Sequence, residues 1–196
     1  MLDFSNSKIL IVGDVMLDKY YFGKVDRISP EAPVPIVNIQ KEESRLGGAS
    51  NVANNIVSLG GHSLLCGVIG HDLFGKEIER ISRHKNIDTF LLKTSSPTIT
   101  KARIIGGKQQ IVRVDYEDKS ELNADNKKLF RDTISRILPE YDILVISDYG
   151  KGLISEDLCR YLIKLAHKYD KKVIIDPKGK NWEKYSGADI VTTLKS

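Results

Sequence analysis

Short apolar runs alternate with segments of helical period along this chain of 196 residues, and this alternation limits the possible folds more than any other feature. The runs are almost wholly apolar, which is typical of strands that are buried on both faces of a parallel sheet. They cover residues 8–12, 63–69, 142–147 and 172–175. We therefore predict an α/β fold with a doubly wound, mainly parallel sheet built from right-handed βαβ units.

Three segments between these runs repeat their apolar residues at intervals of three and four, as amphipathic helices do. They cover residues 50–59, 126–138 and 157–168, and Pro139 follows the second of them. The predicted buried positions are Val52, Ala53, Ile56 and Leu59 in the first, Leu129, Phe130, Thr133, Ile134 and Ile137 in the second, and Leu158, Leu162, Ile163, Leu165 and Ala166 in the third.

Residues 19–40 and 98–116 do not follow this scheme, because they are rich in β-forming residues, Gly or Pro and have no helical period. The second stretch reads as a hairpin of residues 99–105 and 110–116 around Gly106-Gly107. We predict that both stretches form a small β-sheet inserted beside the main one. No repeat or linker divides the chain, so residues 1–196 are predicted to form one domain.

The composition excludes several classes of protein. The net charge is only +4 and the basic residues are scattered, so nucleic acid is not an expected partner. Cys66 and Cys159 lie far apart in apolar contexts, which favours reduced core thiols over a disulfide, and the four histidines lack the spacing of a zinc site. The first apolar run is too short for a secretory or membrane segment, so we expect a cytoplasmic protein without a membrane partner.

Gly47-Gly48 stands directly before the first predicted helix, and Asn51 falls in its first turn. Two glycines let the backbone approach a ligand closely, and a helix amino terminus offers free amides to it. A Gly-Gly pair alone would more simply make a turn. The surrounding string gives it more meaning.

That string resembles the amino-terminal signature of the ribokinase-like (PfkB) sugar kinases. It reads Gly47-Gly48-Ala49-Ser50-Asn51-Val52-Ala53, then Leu59-Gly60-Gly61, then Gly67-Val68-Ile69-Gly70-His71-Asp72-Leu73-Phe74-Gly75. Four further segments, at residues 12–18, 27–35, 147–152 and 176–179, resemble one branch, the D-glycero-β-D-manno-heptose 7-phosphate kinases, which also occur as the kinase domain of a bifunctional heptose kinase/adenylyltransferase. The resemblance runs from about residue 8 to about residue 190.

The resemblance implies a kinase that uses ATP and Mg²⁺ to phosphorylate the 1-hydroxyl of heptose 7-phosphate, for ADP-heptose and lipopolysaccharide core synthesis. It also implies that the two β-rich stretches form a lid over the sugar and pair two subunits in a homodimer. The predicted hairpin carries Lys101, Arg103, Gln109, Gln110, Arg113 and Asp115. Gln110 and Arg113 are among the residues that we expect to bind substrate.

The other expected substrate ligands lie at strand ends and in the glycine turn. Carboxylates suit sugar hydroxyls, and Asp18 is the residue that the family uses on the sugar, whereas Asp14 could also be a solvated turn acid. Asp148 either reaches the cleft or caps a turn. The full expected set is Asp14, Asp18, Arg27, Gly47, Gly48, Asn51, Gln110, Arg113, Asp148, Lys151 and Lys178, of which Arg27, Lys151 and Lys178 are cations expected near the sugar phosphate.

The sequence departs from the family in its last residues. The family's Gly-Ala-Gly-Asp string, which carries the anion hole and the catalytic base, is absent, and Val191-Thr192-Thr193-Leu194-Lys195-Ser196 stands where the family has Thr-Pro-Asn and a glutamate. We therefore expect the amino-terminal part of the fold only, truncated and inactive alone, with no catalytic base. The alternative is a non-catalytic fragment that binds sugar phosphate or dimerises. An oxidoreductase is set aside because no Gly-x-Gly-x-x-Gly follows the first run.

Overall fold

The computed structural model describes residues 4–178 and 181–192. In chain order its elements are β1 (Lys8–Gly13), β2 (Val15–Ile28), β3 (Pro35–Gly48), α1 (Ala49–Ser58), β4 (His62–Gly70), α2 (Leu73–His84), β5 (Asp88–Thr94), β6 (Thr100–Gly106), β7 (Gln109–Tyr116), α3 (Ala124–Ile137), β8 (Ile143–Ser147), α4 (Glu156–Lys168), β9 (Lys172–Asp176) and β10 (Ile190–Val191). Two 3₁₀ turns, Leu138–Glu140 and Glu183–Tyr185, follow α3 and β9.

In the part of the chain that the structure describes, six strands form the main sheet, in the order β10-β9-β8-β1-β4-β5, and every neighbouring pair among them is parallel. Residues of α1 and α2 join one apolar core, and residues of α3 and α4 join the other. The chain thus winds outward in both directions from β1, which confirms the predicted doubly wound α/β fold. The chain order reverses beside β1, at the position where open sheets of this kind bind ligands.

The central strand β1 is buried on both faces, which explains its continuous apolar sequence. Leu10 and Val12 pack into the core under α3 and α4, whereas Ile11 packs under α1 and α2. All three side chains are fully buried. Each full burial of such a side chain is worth about 1.5–3 kcal/mol, so the two cores hold the sheet between the helix layers.

Four strands form a second, mixed sheet in the order β3-β2-β6-β7. β2 is antiparallel to β3 and parallel to β6, and β6 and β7 form the predicted hairpin. This confirms the small sheet expected from residues 19–40 and 98–116, although β2 and β3 reach further toward the core than predicted. Only Asp14 separates β1 from β2, and β3 leads directly into α1, so this sheet is joined to the core without a loop.

Some local features differ from the sequence prediction. Neither α2 nor β5 was predicted. Leu59 and Leu129 were expected to be buried but are 65% and 48% exposed. Leu59 is the capping residue that follows α1, and Leu129 lies beside the buried face of α3, which is formed by Phe130 and Ile134. The buried face of α4 is confirmed, and both cysteines are free and buried as expected. Within the described ranges, no helix is long and apolar enough to cross a membrane.

Candidate functional site

A cleft of about 600 Å³ opens where the second sheet meets the amino terminus of α1. It lies beside the carboxyl end of β1, so the fold presents it at the ligand-binding edge of the sheet. Its lining residues are Met16, Asp18, Tyr20, Ser44, Arg45, Leu46, Gly47, Gly48, Asn51, Asn54, Lys85, Lys101, Arg103 and Tyr149.

The floor of the cleft is the Gly47-Gly48 turn, where side chains cannot be accommodated. A Cβ on Gly47 would lie 2.4 Å from Oδ2 of Asp18, and one on Gly48 would lie 2.4 Å from the carbonyl oxygen of Asp14. Gly48 also has φ 56° and ψ −136°, a conformation that residues with a Cβ rarely adopt. As the residue that caps α1, Gly48 brings no side chain to the first-turn amides, which suits a bound hydroxyl or anion.

Asp18 is already engaged within the cleft. Its Oδ1 accepts a hydrogen bond of 2.6 Å from Nη1 of Arg103, and each of the two side chains is 22% exposed. Partial burial is the largest single influence and lowers the pKa of the Arg103 guanidinium, but the hydrogen bond to Asp18 and the attraction of nearby negative groups together outweigh it, so the pKa is raised. The Arg103 guanidinium also lies 5.2 Å from the ring centre of Tyr20, and that of Arg45 lies 4.9 Å from the same ring.

Among the described residues, four cations and one carboxylate, Asp18, line the cleft. Arg45 is bound to Glu43 at 2.8 Å, and the ammonium of Lys101 lies 6.0 Å from the ring centre of Tyr149. In residues 4–178 and 181–192, neither Lys85 nor Lys101 forms an ion pair with a carboxylate. The excess of positive charge favours an anionic ligand.

The turn that carries Tyr149 is held by two buried carboxylates, which capture three successive backbone amides. The amides of Tyr149 and Lys151 donate to Oδ2 of Asp14 at 2.8 and 3.1 Å, and the amide of Gly150 donates to Oδ1 of Asp148 at 2.8 Å. Burial outweighs these bonds and raises the pKa of Asp14, and burial also raises the pKa of Tyr149. Asp14 is thus a buried anchor of the turn and not a solvated acid, so that alternative is wrong.

The second oxygen of Asp148 points to the 3₁₀ turn at Glu183–Tyr185. It accepts a hydrogen bond of 2.7 Å from the hydroxyl of Tyr185 and pairs with the ammonium of Lys184. Burial, and then the bond to Asp148, raises the pKa of Tyr185. Both oxygens of Asp148 are therefore used inside the fold, and the residue is not among those that line the cleft.

Four of the residues predicted to bind substrate line the cleft: Asp18, Gly47, Gly48 and Asn51. The other predicted residues lie elsewhere. Arg27 is exposed on the outer half of β2, Gln110 and Arg113 are exposed on β7, and Lys178 is exposed after β9. Their roles stay predictions.

Lys151 lines a second, smaller cavity of about 220 Å³, together with Asp14. Its ammonium pairs with Glu117, whose pKa is lowered mainly by that hydrogen bond. The charge of Lys151 is already compensated by Glu117, whereas among the described residues Lys85 and Lys101 in the cleft have no carboxylate partner. Lys151 is therefore less suited to bind a phosphate than these two lysines.

Five of the residues that line the cleft were not among the predicted substrate ligands: Arg45, Lys85, Lys101, Arg103 and Tyr149. The signal for Lys101 and Arg103 was the alternation of the hairpin, because every second residue of β6 faces the same side. Asp18 pairs with Lys101, and Tyr20 with Arg103, in the parallel register of β2 and β6. This pairing is long-range and could not be derived from local patterns.

Together with this fold, the sequence matches one family of enzymes. Residues 6–194 match the model of the pfkB family of carbohydrate kinases. The chain belongs to this family.

More particular likenesses come from two relatives. The chain is 47% identical over 187 residues to the bifunctional protein HldE of Helicobacter pylori strain P12, covering 94% of this chain and 41% of that protein. It is 44% identical over 189 residues to the D-beta-D-heptose 7-phosphate kinase of Bordetella bronchiseptica, covering 96% of this chain and 59% of that kinase. The chain therefore spans about two fifths and three fifths, respectively, of these relatives' lengths.

Solved structures of lower identity share the fold. The tetrameric inhibited form of phosphofructokinase-2 from Escherichia coli aligns with a TM-score of 0.69 at 20% identity, over 91% of this chain and 57% of that one. A carbohydrate kinase from Agrobacterium tumefaciens aligns with a TM-score of 0.65 at 17% identity, over 87% and 53% of the two chains.

The family implies magnesium and ATP. Within the described residues, no three His, Cys, Asp or Glu side chains lie close enough together to hold a metal ion. Thr192, the expected match to the family's threonine, hydrogen-bonds the carbonyl oxygen of Ile175 and Oδ1 of Asp176. Residues 193–196, where the family's Thr-Pro-Asn and glutamate were compared, lie outside the described residues, as does Gly179 of the 176–179 segment.

Proposed function

We propose that the cleft binds the acceptor sugar of a heptose 7-phosphate kinase, which transfers the γ-phosphate of ATP to the 1-hydroxyl of D-glycero-β-D-manno-heptose 7-phosphate. The observation that carries the proposal is the meeting of one carboxylate, Asp18, with four cations over a glycine floor. The name of one relative, the D-beta-D-heptose 7-phosphate kinase of Bordetella bronchiseptica, supports the same substrate. A cytoplasmic location and a place in ADP-heptose synthesis for lipopolysaccharide core belong to this proposal.

The two kinds of group in the cleft match the two ends of such a substrate. The carboxylate of Asp18 accepts hydrogen bonds from sugar hydroxyls, and the amide of Asn51 can both donate to them and accept from them. Lys101 and Arg103 are placed to bind the phosphate, since a guanidinium can bind it through two parallel hydrogen bonds and an ammonium adds a point charge. On this proposal they take the role that Arg27, Lys151 and Lys178 were expected to have.

Phosphoryl transfer also needs positioned cations, an anion hole and a base for the acceptor hydroxyl. The Gly-Ala-Gly-Asp string that carries the last two in the family does not occur in this sequence. We therefore expect the 196-residue chain to bind the sugar phosphate without turning it over. Formation of the 1,7-bisphosphate from magnesium ATP by the purified chain would contradict this.

Calorimetric titration with heptose 7-phosphate tests the binding site directly. Asn51→Ala removes a side chain that lines the cleft, and we expect roughly tenfold weaker binding, equivalent to ~1.4 kcal/mol. Asn55→Ala is the matched control, because Asn55 is exposed on the same helix and does not line the cleft. Equal affinity of the Asn51 variant and wild type would place the sugar elsewhere.

We also propose that the chain pairs with a second copy through the second sheet. Val112 and Val114 are 44% and 40% exposed on β7. In register they oppose Ile104 and Ala102, so they lie on the face away from Arg103 and the cleft. A self-complementary apolar face is suited to a two-fold interface.

A further inference from the structure

The carboxylate of the cleft is engaged by a contact inside it. Asp18 is the carboxylate proposed to take the sugar hydroxyls, and its Oδ1 is occupied by Nη1 of Arg103 at 2.6 Å. The two side chains come from neighbouring strands and are equally shielded, at 22% exposure. The other oxygen of Asp18, Oδ2, lies against the glycine turn, since a Cβ on Gly47 would be 2.4 Å from it. A ligand that binds through Oδ1 must therefore compete with Arg103.

Among the described residues, Arg103 has few other contacts that would hold its guanidinium once Asp18 is taken away. Its contact with the carbonyl oxygen of Lys101, at 3.5 Å, is long for a hydrogen bond. It also lies over the ring of Tyr20, which Arg45 approaches too, and Asp115 attracts it without an ion pair. Arg103 is thus strongly bound by one group, Asp18, and any anion that enters the cleft competes for it with that group.

We propose that Arg103 determines specificity for phosphorylated sugars by blocking Asp18 until a phosphate draws its guanidinium away. A sugar phosphate gives Arg103 a second anion in exchange for Asp18, and the freed carboxylate then accepts the hydroxyls. A neutral sugar offers no such exchange and must leave Arg103 without a partner. This proposal rests on the proposed function of the cleft as a sugar-phosphate site.

Arg45 is an internal comparison for this role. It is the same residue type and lies over the same Tyr20 ring, but its carboxylate partner is Glu43 and not Asp18. Arg45 adds positive charge to the cleft without blocking the sugar carboxylate. The two arginines are therefore expected to affect phosphate and neutral sugar differently.

Titration with inorganic phosphate tests the exchange without any sugar. We expect Asp18→Asn to bind phosphate roughly tenfold more tightly than wild type, because Arg103 is released. The double variant Asp18→Asn/Arg103→Met should not show this gain in affinity. Asp18→Asn in an Arg45→Met background should still show the gain. If Asp18→Asn binds phosphate no more tightly than wild type, Arg103 is not held back by Asp18 and the proposal is overturned.

Titration with the unphosphorylated heptose tests specificity. Wild type should prefer heptose 7-phosphate, and Arg103→Met should bind the neutral heptose more tightly than wild type does, while Arg45→Met should not. This second titration keeps Asp18 intact, so it tests whether Arg103 blocks Asp18 even if Asp18→Asn fails to fold. An Arg103→Met protein that gains nothing for neutral heptose overturns the proposal.

The two arms also separate this inference from the proposed function. If wild type binds no heptose phosphate but Asp18→Asn gains affinity for inorganic phosphate, the exchange stands and the heptose kinase function fails. If wild type binds heptose 7-phosphate while neither variant gains as expected, the function stands and the exchange is overturned.

Discussion

Asp14 is a carboxyl that the fold buries beside the cleft at 2% exposure, with its pKa above the ordinary value of 3.8. A raised pKa means that the folded state binds more protons than the unfolded state just above pH 3.8, so Asp14 costs stability as the pH rises through its folded pKa. Asn at this position keeps an oxygen for the amides of Tyr149 and Lys151 but cannot become charged.

Asp14→Asn should therefore gain free energy of unfolding relative to wild type as the pH rises from about 4 to about 8. The gain is about 1.4 kcal/mol for each unit by which the fold raises the pKa. Urea unfolding of both proteins across this range measures the difference. A difference that does not change with pH would show that Asp14 is not destabilised by its charge.

The sequence identifies Asp148 as a carboxylate at the end of a strand, but it does not decide whether the side chain enters the cleft or caps a turn. The choice depends on Lys184 and Tyr185, which lie more than thirty residues later and approach only in the folded chain. The glycines and Asn51 were predictable because their turn is local. Lys101 and Arg103 were not, since their position depends on how β6 pairs with β2.

Among the elements, α1 is preceded by a capping glycine, Gly48, whose conformation other residues rarely adopt. Gly48→Ala adds strain at φ 56° and a Cβ 2.4 Å from a backbone oxygen, and we expect it to destabilise the fold by about 2–4 kcal/mol. Gly60→Ala is the control, because Gly60 has φ 90° but no atom within 4 Å of the added Cβ, and about 1 kcal/mol is expected. Chemical unfolding of both variants checks the ranking, which equal losses would contradict.

The 3₁₀ turn at Glu183–Tyr185 is tied to β8 through a buried ion pair. Lys184→Met leaves Asp148, whose side chain is 1% exposed, without its cation, and a loss of about 3–5 kcal/mol in unfolding free energy is expected. Lys128→Met breaks an exposed pair with Asp132 on α3 and should leave the unfolding midpoint unchanged. Similar midpoints for the two variants would mean that the buried pair does not hold this turn in place.

The sequence predicted most elements of the main sheet because burial on both faces leaves an almost continuous apolar run. It did not reveal α2, in which charged residues are frequent and only Ile78 and Ile81 are large buried apolar residues. The signal was present in Asp72, which caps the helix by accepting from the amide of Gly75 at 2.8 Å. The length of β2 and β3 was underestimated because the extent of their mutual pairing is set by tertiary contacts.

For the whole molecule, the predicted assembly is a dimer through the apolar face of the second sheet. Wild type should show a mass of twice the 22.0 kDa chain by light scattering, and Val112→Lys should weaken self-association roughly tenfold. Gln110→Lys is the control. Gln110 and Val112 are two residues apart, but the extra residue of a bulge at Ile111 turns Gln110 to the opposite face of the sheet. The same added charge should therefore have little effect on self-association. A wild-type protein that stays monomeric as its concentration rises would exclude this interface.

The position of β1 has a consequence for how the chain reaches its fold. β1 precedes both of its partner strands, β4 and β8, in the chain, and Ile9 meets Ile143 across 134 residues of sequence. Such non-local pairings slow folding, because a long loop must close before any contact rewards it. The apolar strand β1 therefore lacks one of its two partners until β8 has been synthesised, and the yield of native protein should depend on protecting its free edge until then.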